Sequence, residues 1–364
     1  MLSYVLKRLT LVPITLFGIL CLNFVVVQWA PGGPVERMIG ELQGLDGGGD
    51  LGRLSAGTDT FDASQQGADE GLYRGGSGLD PAIIKQIEKM YGFDKPLWTR
   101  FWSMLGRYLR LDLGESYFKR KPVGQLLLSK LPVSISLGFW SVLLVYAVSI
   151  SLGVAKARRH GRPFDTVSSI AVILGYAVPG FLFGLLLIIL FAGGSFWSIF
   201  PLHGLTSQNA EMWPLGARIA DYFWHMVLPL CTQVLGGFAS LTLLTKNAFL
   251  EELSKPYVTT ARAKGLPESK VLYHHVFRNA LLVLAVGFPG MFLHMFFTGA
   301  LLTEVLFSLD GLGLLGYQSM LMRDYPVIFG TLFVFTLFSM LLHLFSDLLY
   351  MKIDPRVHFE QGKA

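Results

Sequence analysis

Six blocks of mostly apolar residues, each about long enough to cross a bilayer, constrain this chain more than any other feature. A hydrocarbon core of about 30 Å takes roughly 20 residues of α-helix. Blocks near 9–30, 133–155, 166–192, 225–246, 281–303 and 327–350 meet that length. Inside a bilayer every backbone N–H and C=O needs an internal partner, so blocks of this length read as helices. The composition agrees, since 52% of the residues are hydrophobic and only 15% charged, too apolar for an ordinary soluble domain. The expected fold is an all-α polytopic membrane protein with six transmembrane helices and a long external insertion after the first.

Lys7 and Arg8 precede the first block, as in a secretory signal. Its apolar run is longer than a typical signal core, however, and ends in VQWAPGGP without a small-x-small cleavage pattern, so it reads as a retained span. Orientation follows from basic residues, which resist translocation from short loops. With the N-terminus inside, the internal pieces carry Lys7 and Arg8; Lys156, Arg158, Arg159 and Arg162; Lys246, Lys255, Arg262, Lys264, Lys270 and Arg278; and Lys352, Arg356 and Lys363. The short external loops carry only Arg218 and Arg323. Both termini are therefore expected in the cytoplasm.

The chain divides into an N-terminus with the first span (1–30), an external insertion (31–132) and a five-helix core (133–364) with an internal loop at 250–280. Within the insertion, 40–79 is rich in Gly, Asp and Ser and reads as a loop with little fixed structure. Its GGGD and scattered Asp residues fit no calcium-loop spacing. From Asp80 the pattern becomes helical: Pro81 suits a first turn, Ile83, Ile84, Ile87 and Tyr91 share a face, and Gly92 lies near the end. A second amphipathic helix follows in PLWTRFWSMLGRYLRLD, whose aromatics suit anchoring at lipid headgroups.

Little in the sequence suggests catalysis. No GxxxxGK[ST] string occurs, so this polypeptide is not its own ATPase by the phosphate-loop route. Gly311, Gly313 and Gly316 in DGLGLLGY satisfy GxGxxG, but they lie between the last two apolar blocks rather than after a β-strand, which favours a tight turn or cap over a dinucleotide site. Cys21 and Cys231 both fall in expected spans, away from disulfide or metal chemistry. Ion-coupled carriers place ionisable groups at mid-membrane, and here only His294, His343 and Asp347 are candidates. Gly180 and Gly184 form a small-xxx-small face, and Pro179, Pro229 and Pro289 can kink their helices and free backbone groups. Pro179, Gly237, Pro289 and His294 are the candidate lining of a substrate path.

The stretch YVTTARAKGLPESKVLYHHVFRNA (257–280) is basic and only partly apolar, yet lies between two spans. Gly265 suits the left-handed position ending one helix, and Pro267 the first turn of another. In the second helix Leu272, Val276 and Ala280 share an apolar stripe, and Lys270, His274 and Arg278 a basic one. The element reads either as a basic helix lying on anionic lipid or as a bent lever with one side for its own protein and one for a partner.

This stretch resembles the cytoplasmic coupling loop of ABC-importer permeases. Thr260, Ala261 and Gly265 match that loop's motif; Thr259 stands where the general motif has Glu, and Phe277 and Arg278 where it has Leu-Pro, as in the dipeptide/oligopeptide branch. APGGP (30–34), YGFDKPLWTRF (91–101), LDLGESY (111–117), PVGQLLLSKLPVS (122–134), RDYPVIFGTL (323–332) and DLLYMKIDPR (347–356) are similar to that branch too, in the same order.

The resemblance implies a type I importer half, in the bacterial inner membrane, that takes up oligopeptides, including peptide antibiotics such as microcin C. It implies a second homologous permease, ABC ATPase domains on two chains or fused in one, and a periplasmic peptide-binding protein, with no nucleic acid. ATP and Mg would reside on the ATPase, leaving no cofactor, metal or catalytic residue here. Thr260, Ala261, Arg262, Lys264, Gly265 and Glu268 would then make the ATPase-docking contact. The rival readings are a proton-coupled peptide carrier and a non-transport anchor or assembly protein.

Overall fold

The computed structural model describes residues 2–29, 94–193, 196–293 and 300–353. The stretch 40–79, the helix expected over 81–92 and His294 lie outside the described residues. Eight helices matter here: α1 (Leu2–Trp29), α2 (Leu97–Leu109), α3 (Val123–Arg158), α4 (Pro163–Ala177), α5 (Gly180–Phe191), α6 (Leu215–Leu253), α7 (Pro256–Ala263) and α8 (Glu268–Leu293). They are followed by α9 (Ala300–Leu306), α10 (Leu312–Met322) and α11 (Tyr325–Ile353).

Among the described residues, five helices are long and apolar enough to cross a membrane, and the bent pair α4–α5 makes a sixth. The third block was expected to cross as one span; instead it turns by 91° between Ala177 and Gly180. The cause is local. Pro179 has no N–H to continue the helix, and its ring pushes the preceding residue out of the helical region, so Val178 is extended at φ −85°, ψ 119°.

Other helices outrun their apolar blocks. The second span begins at Val123, ahead of the expected 133, because the polar residues that interrupt its apolar run are accommodated. Ser129 donates to the carbonyl of Leu126 (2.7 Å), and Lys130 pairs with Asp310. The fifth span and the second half of the lever are one continuous helix from Glu268 to Leu293.

The chain forms two compact units. In the one built from Ile14–Gly124 and Ser319–Phe333, α2 buries Phe101 and Tyr108, two turns apart. Phe101 meets Phe17 and Phe24 edge-on at 6.0 and 5.3 Å, and Tyr108 meets Phe333 at 5.3 Å. Trp98 and Trp102 stay exposed, the disposition that headgroup anchoring requires.

The other unit, containing Gln125–Gln318, is organised around α6. Small residues let its neighbours approach closely: a Cβ on Gly153 of α3 would lie 2.6 Å from Thr245, and one on Gly184 of α5 would lie 2.8 Å from Thr232. The Gly180–Gly184 face is thus a packing surface against Thr232. Asp165 and Lys246 pair near one end of α4, and Gly175 meets Leu235 near the other, so α4 and α6 run antiparallel.

Candidate functional site

Pro256 starts α7, with Lys255 extended before it. The helix ends at Gly265, whose φ of +78° favours glycine; its N–H reaches the Arg262 carbonyl (2.9 Å), and that of Leu266 reaches Ala261 (3.4 Å). Pro267, extended, immediately precedes α8.

Beneath this bend lies an apolar core. Val258 and Ala261 of α7 and Val271, Leu272, Val276 and Ala280 of α8 pack with Val154 and Ala157 of α3 and Ala248 and Phe249 of α6. The bent element therefore sits on the ends of two spans. Ala261, a candidate contact from sequence, belongs to this core and supports the surface from below. Thr260, Arg262, Lys264, Gly265 and Glu268 are exposed together above it. Arg262 Nε donates to Glu268 Oε1 (2.8 Å) across the bend, an exposed pair of modest worth. A Cβ on Gly265 would meet nothing within 4 Å, so the space over the turn is open.

The start of α8 is π-helical over Val271–Val276. Leu272, Val276, Ala280 and Leu284 are buried at steps of four residues, longer than the 3.6 of an α-helix, and the wider turn keeps that stripe aligned. Lys270, His274 and Arg278 advance by the same step and are exposed.

Polar contacts tie these elements together. Glu252 of α6 accepts from Tyr257 Oη (2.7 Å) and from Lys255, and Asn279 Nδ2 donates to Tyr257 Oη (3.3 Å). Burial, and then the Glu252 carboxylate, push the Tyr257 hydroxyl up to about 12. It remains a donor throughout the physiological range.

The candidate path residues separate. Pro179 is at the break, opposite Thr232 and Leu235 of α6 through Gly180 and Gly175. That level is near the middle of the apolar block 225–246, and Tyr176, Val178 and Phe181 around it are exposed at 63, 43 and 43%. At the same level Ser141 of α3 donates to Gln233 Oε1, while the buried Gln233 Nε2 has no partner. Gly237 is half-buried, and Pro289 is buried within α8.

Two ionic sites escaped the sequence reading. Lys156, counted there among loop charges, is fully buried beside Asp165, which also holds Lys246. Glu304 is likewise fully buried, accepting from Ser134 Oγ (2.7 Å) and the Leu314 N–H (2.8 Å) at the start of α10. Gly311 and Gly313 make room for this carboxylate: a Cβ on Gly311 would overlap it, and one on Gly313 would lie 2.8 Å from Leu301 Cα. The glycine motif thus accommodates a side-chain carboxylate at a helix start, in line with a cap. Its sequence signal was Glu304 itself, placed just past the expected end of the fifth span.

Residues 148–359 match the family model described as "Binding-protein-dependent transport system inner membrane component". The chain is 53% identical to the "Peptidoglycan transport system permease protein YejB" of Agrobacterium fabrum, over 99% of each chain. It is 51% identical to the "Inner membrane ABC transporter permease protein YejB" of Escherichia coli O157:H7, over 98% of this chain and 99% of that one. The "Oligopeptide transport system permease protein AppB" of Bacillus subtilis is 30% identical over 99% of this chain and 100% of its own. Among solved structures, an inward-facing MetNI methionine ABC transporter aligns with TM-score 0.48 at 16% identity, over 63% of this chain and 97% of that chain.

Proposed function

The chain belongs to the family of binding-protein-dependent transport system inner membrane components and is an ABC importer permease of the peptide-transport branch, and we propose that its bent 256–280 element is the docking site of a separate ATPase. The substrates are oligopeptides, including peptide antibiotics such as microcin C, while the Agrobacterium relative is named for peptidoglycan transport. A periplasmic binding protein delivers them, and a second homologous permease completes the pathway. The ATPase domains, on two chains or fused in one, hold ATP and Mg. Both termini and the docking element face the cytoplasm.

One observation carries the docking assignment: the exposed turn at Gly265 stands over open space on a core that continues into two spans. A push on that turn reaches α3 and α6 directly. A lipid-lying helix would need a free apolar face, whereas Val271, Leu272, Val276 and Ala280 are already buried within the chain.

The break at Val178–Pro179 is the chain's contribution to the peptide path. Lipid cannot satisfy the backbone groups of an interrupted helix, so exposed non-helical backbone at this depth belongs beside water or another protein.

The test is purification of the tagged chain from its own membranes in mild detergent, wild type beside Gly265→Asp. The wild type should bring a second permease and an ATPase, and the variant should lose the ATPase. Uptake that collapses with membrane potential at constant ATP would instead support a proton-coupled carrier.

A further inference from the structure

The first turns of α4 meet α3 and α6 on a single carboxylate. Asp165 lies 2.8 Å from Lys246 Nζ of α6 and 3.2 Å from Lys156 Nζ of α3. Lys156 also donates to the Asp165 carbonyl (3.0 Å), Ser168 Oγ (2.9 Å) and Ser169 Oγ (2.6 Å), all on α4. His160 Nδ1 and the Gly161 N–H approach the carboxylate from the preceding turn at 3.2 and 3.3 Å. Lys156 has no exposed surface, and the Asp165 and Lys246 side chains are 6 and 14% exposed.

The location gives this cluster its consequence. Lys156 adjoins Ala157 and Val154, and Lys246 lies within one turn of Ala248 and Phe249, the residues that form the floor under the bent 256–280 element. That element grips the floor through apolar contacts, and α4 grips the same floor through charge. Asp165 and Val172 are the buried residues of α4, and Gly175 meets Leu235 of α6 near its other end. The far end of α4 is the 91° break, level with the middle of the apolar block 225–246.

We infer that Asp165 is a positioning residue for energy coupling, joining α4 to the helix ends beneath the ATPase-docking turn so that displacement of those ends moves the break. The inference rests on the importer reading above. A helix of 15 residues is a rod of about 22 Å. Apolar contacts can slide, but a buried lysine cannot leave its carboxylate and hydroxyl partners without becoming an unpaired charge, so α4 follows the floor as a unit.

The test uses the reconstituted complex with its ATPase and binding protein, reading ATPase co-purification, binding-protein-stimulated hydrolysis and peptide imported per ATP. Lys246→Met is the gentler variant, because it cuts the charged tie between α4 and α6 while leaving Asp165 paired with Lys156. It should retain the ATPase and hydrolyse ATP, while peptide imported per ATP falls by roughly 2- to 30-fold. Asp165→Asn should shift the same ratio in the same direction. A merely structural role would lower the amount of assembled complex and leave the ratio of the assembled fraction unchanged. A wild-type ratio in Lys246→Met overturns the proposal, whether or not Asp165→Asn assembles. Failure of the wild-type chain to bring any ATPase would instead overturn the importer reading on which it rests.

Discussion

Replacing Gly265 separates two roles that a glycine can have. Its φ of +78° lies where an L-residue costs roughly 1–2 kcal/mol, and Asn tolerates that region better than most residues. A loss of about 1 kcal/mol shifts the equilibrium ratio of the native turn to its alternatives roughly fivefold. A Cβ here meets nothing of this chain within 4 Å, so a small side chain has room at the turn and added bulk bears on a docked partner. If backbone conformation alone matters, function should follow Asn above Ala, with Trp near Ala. If the turn docks an ATPase, function should follow size, Ala above Asn above Trp, with Trp losing the partner. The assay is ATPase retained by the purified permease, together with peptide uptake in vesicles. A Gly265→Trp complex that retains its ATPase and imports peptide at the wild-type rate would refute docking at this turn.

Three further outcomes follow from buried groups and exposed backbone. Glu304→Ala should lower thermal stability in detergent, because the Ser134 hydroxyl and Leu314 N–H lose their acceptor at about 1–3 kcal/mol each, while Glu304→Gln keeps an acceptor and should cost less. Gly311→Ala should be damaging alone yet much less so in the Glu304→Ala background, since the three nearest atoms its Cβ would meet all belong to that carboxyl group; additive losses would argue against this packing. Val178→Cys, in a chain whose Cys21 and Cys231 are replaced by Ser, should react with a water-soluble maleimide and be protected by transported peptide. Absence of labelling in every nucleotide state would remove the break from the peptide path.

Much of this architecture is legible in the sequence because a bilayer leaves helices few alternatives. Apolar length locates the spans, and the Gly265–Pro267 spacing locates the bend, since only a few residue types suit its backbone. The coupling-loop resemblance reaches the family from the same residues. Local pattern fails where the deciding partner is distant. Lys156 looks like a loop charge until Asp165, Ser168 and Ser169 surround it. Ala261 looks like a motif residue at a contact surface until Val258, Val271 and Leu272 enclose it.

The sequence by itself determined the helical class, the number of apolar blocks, the turn at Gly265 and the helix-breaking power of Pro179, because these depend on hydropathy and on backbone chemistry within a few residues. Only the tertiary structure decided that α4 and α5 diverge by 91°, that Glu304 fills the space left by Gly311 and Gly313, and that one carboxylate gathers lysines from two helices. Those outcomes depend on which side chains meet across the fold. Burial changes the free energy of a charge far more than its neighbours in the chain do.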